Sequence, residues 1–139
     1  LSKAHAGERQ VEIKVDASNE LHCNFDATLL QQALLNLVMN AIDASPPGST
    51  VIMTGRVSGD AVCIDVKNTG PEIDPGALGQ IFEPFFTTKP SGTGLGLAIA
   101  RNAARGHGGD ITLTQNGPEV VIFTLTLPVG DKLITKAAG

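Results

Sequence analysis

Hydrophobic positions change their period several times along this chain, and each change marks a boundary. From Gln10 to Ala17 (QVEIKVDA), Val11, Ile13 and Val15 alternate with Glu12 and Lys14, the spacing of a strand buried on one side. Leu21 to Phe25 has room for a short second strand. The period then lengthens: Leu30, Leu34, Leu37 and Ala41 recur every three or four residues and predict a helix running to about Ala44. Asp26 or Thr28 caps its start, Thr28 with Gln31 following as in a capping box, and Ser45-Pro46-Pro47-Gly48 closes it. Period two returns over Val51 to Val57 and Ala61 to Lys67, a hairpin around Ser58-Gly59-Asp60. Asp74 to Phe82, led by Asp74 and Pro75, predicts a short helix. Glu83 to Thr93 has little periodicity and reads as a loop, and Leu95 to His107 predicts a second long helix ended by Gly108-Gly109. Asp110 to Gln115 and Glu119 to Leu127 form a last hairpin turning at Asn116-Gly117, while Asp131 to Gly139 is expected to fray. No internal repeat is present. The order implies an α+β, two-layer sandwich: a mixed, mostly antiparallel sheet packed on three helices.

Composition narrows the class without naming it. At 139 residues, 42% hydrophobic and 17% charged, the chain has the size and balance of one globular domain. A net charge of −4 argues against general nucleic-acid binding, which rewards an excess of Lys and Arg. The longest apolar run, Ala33 to Ile42, is interrupted by Asn36 and Asn40 and is too short to cross a bilayer. Cys23 and Cys63 sit in strand-like segments with no CxxC partner, so reduced thiols and a reducing, cytoplasmic setting are expected. The chain starts without Met, and the expectation is a piece of a longer protein, which itself can be membrane-anchored. Within it, 1–9 reads as a remnant or linker, 10–129 as the domain, and 130–139 as a flexible tail.

Candidate chemistry sits at three places. On the first long helix, Gln32, Asn36, Asn40 and Asp43 share a stripe opposite the apolar face, which an ordinary solvated face would also explain. Solvated helix faces favour Lys and Glu, and Asn is a poor helix former unless its amide has a task; amide oxygens suit a hard cation such as Mg²⁺ that is shared with phosphates. The second place is the run SGTGLGL, where Gly92, Gly94 and Gly96 strip side chains from the approach to a helix start whose N–H groups attract anions. It is neither GxxxxGK[ST] nor GxGxxG, since Leu97 stands where the latter needs its last glycine. A tight loop entering a helix explains the same run. The third is VKNTGPEIDPG, in which Asn68 ends a strand and Ile73 is an apolar residue near a turn, suited to a purine's edge and face or to an ordinary Asn-Thr-Gly turn. Between the last two, IFEPFFTTK places Phe82, Phe85 and Phe86, three of the five phenylalanines, in one short loop and implies a hydrophobic anchor for a moving segment.

In this order and spacing the segments resemble the catalytic ATP-binding domain of bacterial sensor histidine kinases, part of a superfamily shared with DNA gyrase, the Hsp90 chaperone and MutL. The resemblance spans roughly Val11 to Pro128. LLNLVMNAIDAS looks like the N box, NTGPEI stands in the place of the G1 box, IFEPFF looks like the F box and GTGLGLAIA like the G2 box. FEPFFTTK followed by GTGLGL is the form seen in kinases resembling the nitrogen regulator NtrB. The resemblance implies a Bergerat-type sandwich holding ATP and Mg²⁺ between helices and sheet. Carried over by position, Asn40 ligates Mg²⁺ with Asn36 assisting, and Asp43 flanks them. Ala44, Ile73 and Leu97 line the adenine slot, with Asn68 and Gly70 beside it. Thr88 and Lys89 belong to a lid over about 84–93, and Gly92, Thr93, Gly94, Leu95 and Gly96 hold the phosphates; Asn36, Asn40 and Lys89 carry the catalytic role.

The chain departs from the G1 pattern, Asp-x-Gly-x-Gly, by Asn68 and Glu72, which implies weaker or altered base selectivity. Relatives that hydrolyse ATP typically carry a Glu where Asn36 stands, and an amide is no general base at neutral pH, so futile hydrolysis should be slow. The phosphate acceptor in the kinases is a histidine on a separate dimerisation domain, followed by an acidic residue and then proline; His5, His22 and His107 do not fit. The resemblance therefore implies a catalytic domain that serves its own dimerisation domain and, downstream, a response-regulator receiver. It implies no nucleic-acid partner and a monomeric isolated domain. A degenerate, regulatory nucleotide-binding domain and a superfamily ATPase or serine kinase are the competing readings.

Overall fold

Alternation becomes strand pairing in the computed structural model, which describes residues 6–7, 11–16, 21–23, 26–86, 96–130 and 132–134. The strands are β1 (Glu12–Asp16), β2 (Leu21–Cys23), β3 (Thr50–Ser58), β4 (Ala61–Thr69), β5 (Asp110–Asn116), β6 (Val120–Pro128) and β7 (Lys132–Ile134). Five of them form one sheet in the order β1-β3-β4-β6-β5, and β2 pairs with β7 in a small second sheet. Only β1 and β3 run parallel; the other neighbours are antiparallel. A parallel pair needs a crossover, and the helix α1 (Ala27–Ala44) supplies it. The sheet is mixed and mostly antiparallel, as the order of elements implies.

Both ends of α1 have a local cause. Asp26 caps it, its Oδ1 accepting from the N–H of Thr28 (3.0 Å) and Leu29 (3.1 Å), so the capping role falls to Asp26 and not Thr28. At the other end Ser45 precedes Pro46, which disfavours helical backbone, and Ser45 is extended at φ −90°, ψ 137°. The Ser45 hydroxyl turns back to donate to Ala41 O at 2.7 Å. The second long helix, α2 (Gly96–Gly106), closes on the expected glycines. Gly109 N donates to Ala104 O and Gly108 N to Arg105 O, with Gly108 at φ 82°, a paired cap that only a residue without Cβ adopts freely.

The core lies between the sheet and the two helices. Leu30, Ala33, Leu34, Leu37, Val38, Ala41 and Ile42 of α1 and Ala100 and Ala104 of α2 meet Val51, Val62, Ile64, Val66, Val121, Phe123, Leu125 and Leu127 from the strands. Ala6, in the segment read as a remnant, is buried in the same core, and its carbonyl accepts from Val11 N at 2.9 Å. On the opposite face Asp65 ties three strands together: it pairs with Arg56 on β3 at 3.0 Å and accepts from Thr124 Oγ1 on β6 at 2.6 Å.

Two sequence expectations change. The helix predicted over Asp74 to Phe82 is a 3₁₀ turn at Pro75–Ala77 followed by further turns. Asp74 caps it, but Gly76 and Gly79 remove helical preference just where propagation would have to begin. Within the tail expected to fray, Lys132–Ile134 instead pairs antiparallel with β2, Leu133 opposite His22. Of the lid expected over 84–93, only 84–86 are described.

Candidate functional site

The site is built where the ends of α1, β4 and α2 converge. Burial of the α1 apolar face leaves Asn36 and Asn40, one turn apart, half-buried at its edge, with Gln32 exposed before them and Asp43 half-buried after. Gly96, the first residue of α2, faces this stripe: a Cβ built on it would lie 3.8 Å from both Cγ and Oδ1 of Asn36. The carboxamide row and the first turn of the second helix are therefore in contact range of each other.

The second part comes from β4. Val62, Ile64 and Val66 point into the core, and period two puts Asn68 on the same face. It sits opposite Val51 on β3 and Val121 on β6, both buried. Asn68 is only 2% exposed, and its one described hydrogen bond is a long donation from Nδ2 to Thr69 O, 3.5 Å. Oδ1 has no partner among the described residues. An amide in a slot flanked by valines costs stability unless something accepts and donates there.

Gly70 brings this strand end to the end of α1. A Cβ on Gly70 would come within 2.6 Å of Ala44 O, so the backbones touch and no other residue fits without a shift. Asp43 and Ala44 are thereby placed beside Asn68 and Gly70. Beyond Gly70 the chain has no regular structure until Pro75, yet it is held: Gly70 N donates to Glu119 O at 3.0 Å. Ile73 N donates to Asn116 Oδ1 at 2.7 Å, and Asn116 Nδ2 donates to Ile73 O at 2.9 Å. The side chains of Ile73 and Leu97 are half-buried and pack on the common core.

Downstream, Phe82 packs on the core. Its ring meets the core residue Phe123 edge-on (centroids 6.1 Å apart, planes at 88°), and the Arg101 guanidinium of α2 stacks 4.1 Å above its centroid. Arg101 and Arg105 both donate to Asp110 Oδ1 at 3.0 and 3.1 Å. Partial burial pushes the Asp110 carboxyl up, but donation from Arg101, Arg105 and Ile111 N–H outweighs it and holds the group below its ordinary range. Phe85 is 75% exposed with φ at 67°, a left-handed backbone, and is not buried among the described residues.

Of the residues expected at the site, the structure gathers Asn36, Asn40, Asp43, Ala44, Asn68, Gly70, Ile73, Gly96 and Leu97 around these three element ends. Thr88, Lys89, Gly92, Thr93, Gly94 and Leu95 lie outside the described residues. Sequence pattern does not mark Asn116 or Arg101 as site residues. Asn116 belongs to an Asn-Gly turn signal that explains it locally, and its partner is far along the chain.

Comparison with known proteins gives the family. Residues 25–131 match the family described as histidine kinase-, DNA gyrase B-, and HSP90-like ATPase. Sensor histidine kinase ZraS of Escherichia coli (strain K12) is 39% identical over 130 residues, covering 93% of this chain; the chain spans 28% of ZraS. The nucleotide-free catalytic domain of histidine kinase ThkA superposes with a TM-score of 0.82 at 35% identity, covering 93% of this chain and 86% of that one. Full-length ShkA in complex with AMPPNP gives a TM-score of 0.82 at 30% identity, over 96% of this chain and 29% of ShkA. ThkA in complex with the response regulator protein TrrA gives 0.76 at 30%, over 94% and 37%. With its paired asparagines set against the start of α2 and its strand-end amide beside Gly70, this chain belongs to the histidine kinase-, DNA gyrase B- and HSP90-like ATPase family, in the form of a sensor histidine kinase catalytic domain.

Proposed function

We propose that the chain binds ATP together with Mg²⁺ between α1, the Gly70–Ile73 loop and the first turn of α2. In the longer protein it then donates the γ-phosphate to a histidine on a separate dimerisation domain, which hands it on to a receiver domain. The observation that carries this reading is the approach of Gly96 to Asn36, which sets two amide side chains against a helix start. The complexes of ShkA with AMPPNP and of ThkA with TrrA support it.

The residues fit both groups. Asn68 Oδ1, buried and without a described partner, suits an adenine amino group, and its Nδ2 suits a ring nitrogen. No cluster of three His, Cys, Asp or Glu that could hold a metal occurs among the described residues, so the ion would be shared: Asn40, with Asn36, offers amide oxygens and the phosphates supply the rest. Mg²⁺ when bound would offset the charge of the phosphates. The chain's own part is positioning: amides fix the metal end, the β4 end fixes the base, and Asn36 withholds the base that would activate water. Thr88, Lys89 and Gly92 to Leu95 complete the proposed phosphate contacts. No helix among the described residues is long and apolar enough to cross a membrane, and Cys63 is a free buried thiol; a cytoplasmic placement fits both.

Calorimetry of Mg²⁺–ATP binding, repeated with Asn40→Ala, tests the reading: at least a ten-fold loss that disappears when Mg²⁺ is withheld is expected, and an unchanged affinity overturns it. Phosphate should not be retained on this chain alone; phosphohistidine on the isolated fragment would contradict the separate acceptor. Asn68 favours one alternative, a regulatory nucleotide-binding domain with relaxed base choice. ATP and GTP affinities before and after Asn68→Asp decide that, since equal ratios would remove Asn68 from base selection.

A further inference from the structure

The Gly70–Ile73 loop has no strand or helix of its own, yet three of its backbone groups are held by one hairpin tip. Gly70 N donates to Glu119 O, and the Asn116 side chain takes both the N–H and the C=O of Ile73, at 2.7 and 2.9 Å. A carboxamide has the donor and acceptor of a peptide group, so Asn116 pairs with Ile73 as a strand residue would, without a strand being there. A register shift between Leu113 and Gln115 in β5 lies just before Asn116, whose backbone is opposite Val121 at the end of the β5–β6 ladder. Bulges re-aim the side chains that follow them. Nothing else among the described residues hydrogen-bonds to the backbone of Ile73.

From this geometry we infer that Asn116 is a positioning residue for the base end of the nucleotide site: the β5–β6 tip, through Asn116, sets where Ile73 stands. It rests on the nucleotide-binding reading above. Asn116 ends β5, a different element from the α1 stripe of Asn36 and Asn40, and both of its described side-chain hydrogen bonds go to Ile73, so it controls the base and leaves the metal–phosphate end alone. Losing one partner of a part-buried pair leaves two backbone groups of Ile73 unpaired and frees the loop.

The test measures ATP affinity by calorimetry, with Mg²⁺ and in EDTA, for the unaltered chain, Asn116→Leu and Asn116→Asp. Asn116→Leu removes both bonds with the same branching pattern; Asn116→Asp keeps the acceptor for Ile73 N–H and loses the donor. About ten-fold weaker binding is expected for Asn116→Leu and about three-fold for Asn116→Asp. The ratio of affinities with and without Mg²⁺ should stay that of the unaltered chain, a readout that general loosening of the domain would shift. Unchanged ATP affinity, or a collapsed Mg²⁺ ratio, overturns the inference. Should Asn116→Leu fail to fold, Asn116→Asp decides alone, and a freely exchanging Ile73 amide proton in the unaltered chain overturns the inference whatever the variants do. If the unaltered chain binds no ATP, the nucleotide reading itself fails, a result distinct from either.

Discussion

Asn68 occupies a position that its strand reserves for an apolar side chain, between Val51 and Val121, and holds an oxygen with no described partner. Replacing both polar atoms by an apolar group of like shape removes that unmet demand, worth about 1–3 kcal/mol. Asn68→Leu should therefore raise the denaturation midpoint of the ligand-free chain while abolishing most nucleotide affinity, a stability-for-function exchange read by urea unfolding and calorimetry side by side. Gly70→Ala should do the opposite to stability: its Cβ would overlap Ala44 O, and the forced backbone shift should cost about 1–3 kcal/mol in the same unfolding experiment. The sequence showed Asn68 and Gly70 as a strand end and a turn, but not the reason they matter. Alternation reveals that position 68 follows Val62, Ile64 and Val66; only the neighbouring strands reveal that it is walled by valines.

Between elements, the joint that matters runs from the 80s loop through α2 to β5. Phe82 is pressed by Phe123 from the sheet and by Arg101 from α2, and Arg101 is itself fixed by Asp110. A double-mutant cycle between Phe82→Leu and Arg101→Gln should show a coupling of about 0.5–1 kcal/mol in unfolding free energy. The carboxylate of this joint also gives a pH signature. Because the folded Asp110 has a lowered pKa, its contribution is present above the ordinary aspartate value of about 4 and is lost as pH falls through the lower folded value. The stability gap between the unaltered chain and Asp110→Asn should therefore narrow as urea titrations move from about pH 5 to below about pH 3. Strong periods made α1, α2 and the two hairpins legible in advance. The turns after Pro75 and the β7 pairing were not, because short segments owe their form to distant partners and carry little pattern of their own.

At the scale of the whole molecule, the strand order decides when the site exists. The central strand β4 has one neighbour next to it in the chain, β3, and the other, β6, near the C-terminal end: Thr69 meets Val120 and Ala61 meets Pro128. Asn36 likewise waits for Gly96, and Ile73 for Asn116. Such distant pairings slow folding, so refolding should fall in the millisecond-to-second range of sheet-rich domains when followed by stopped-flow fluorescence of an introduced Trp, and a microsecond phase carrying the full amplitude would contradict this topology. A ribosome releasing this chain residue by residue exposes Val62, Ile64 and Val66 on a half-finished edge until β6 emerges. The nascent polypeptide thus cannot complete the β4 end of the pocket before β6 has been made, and premature termination anywhere upstream of Val120 should yield a sticky fragment instead of a weakened kinase domain.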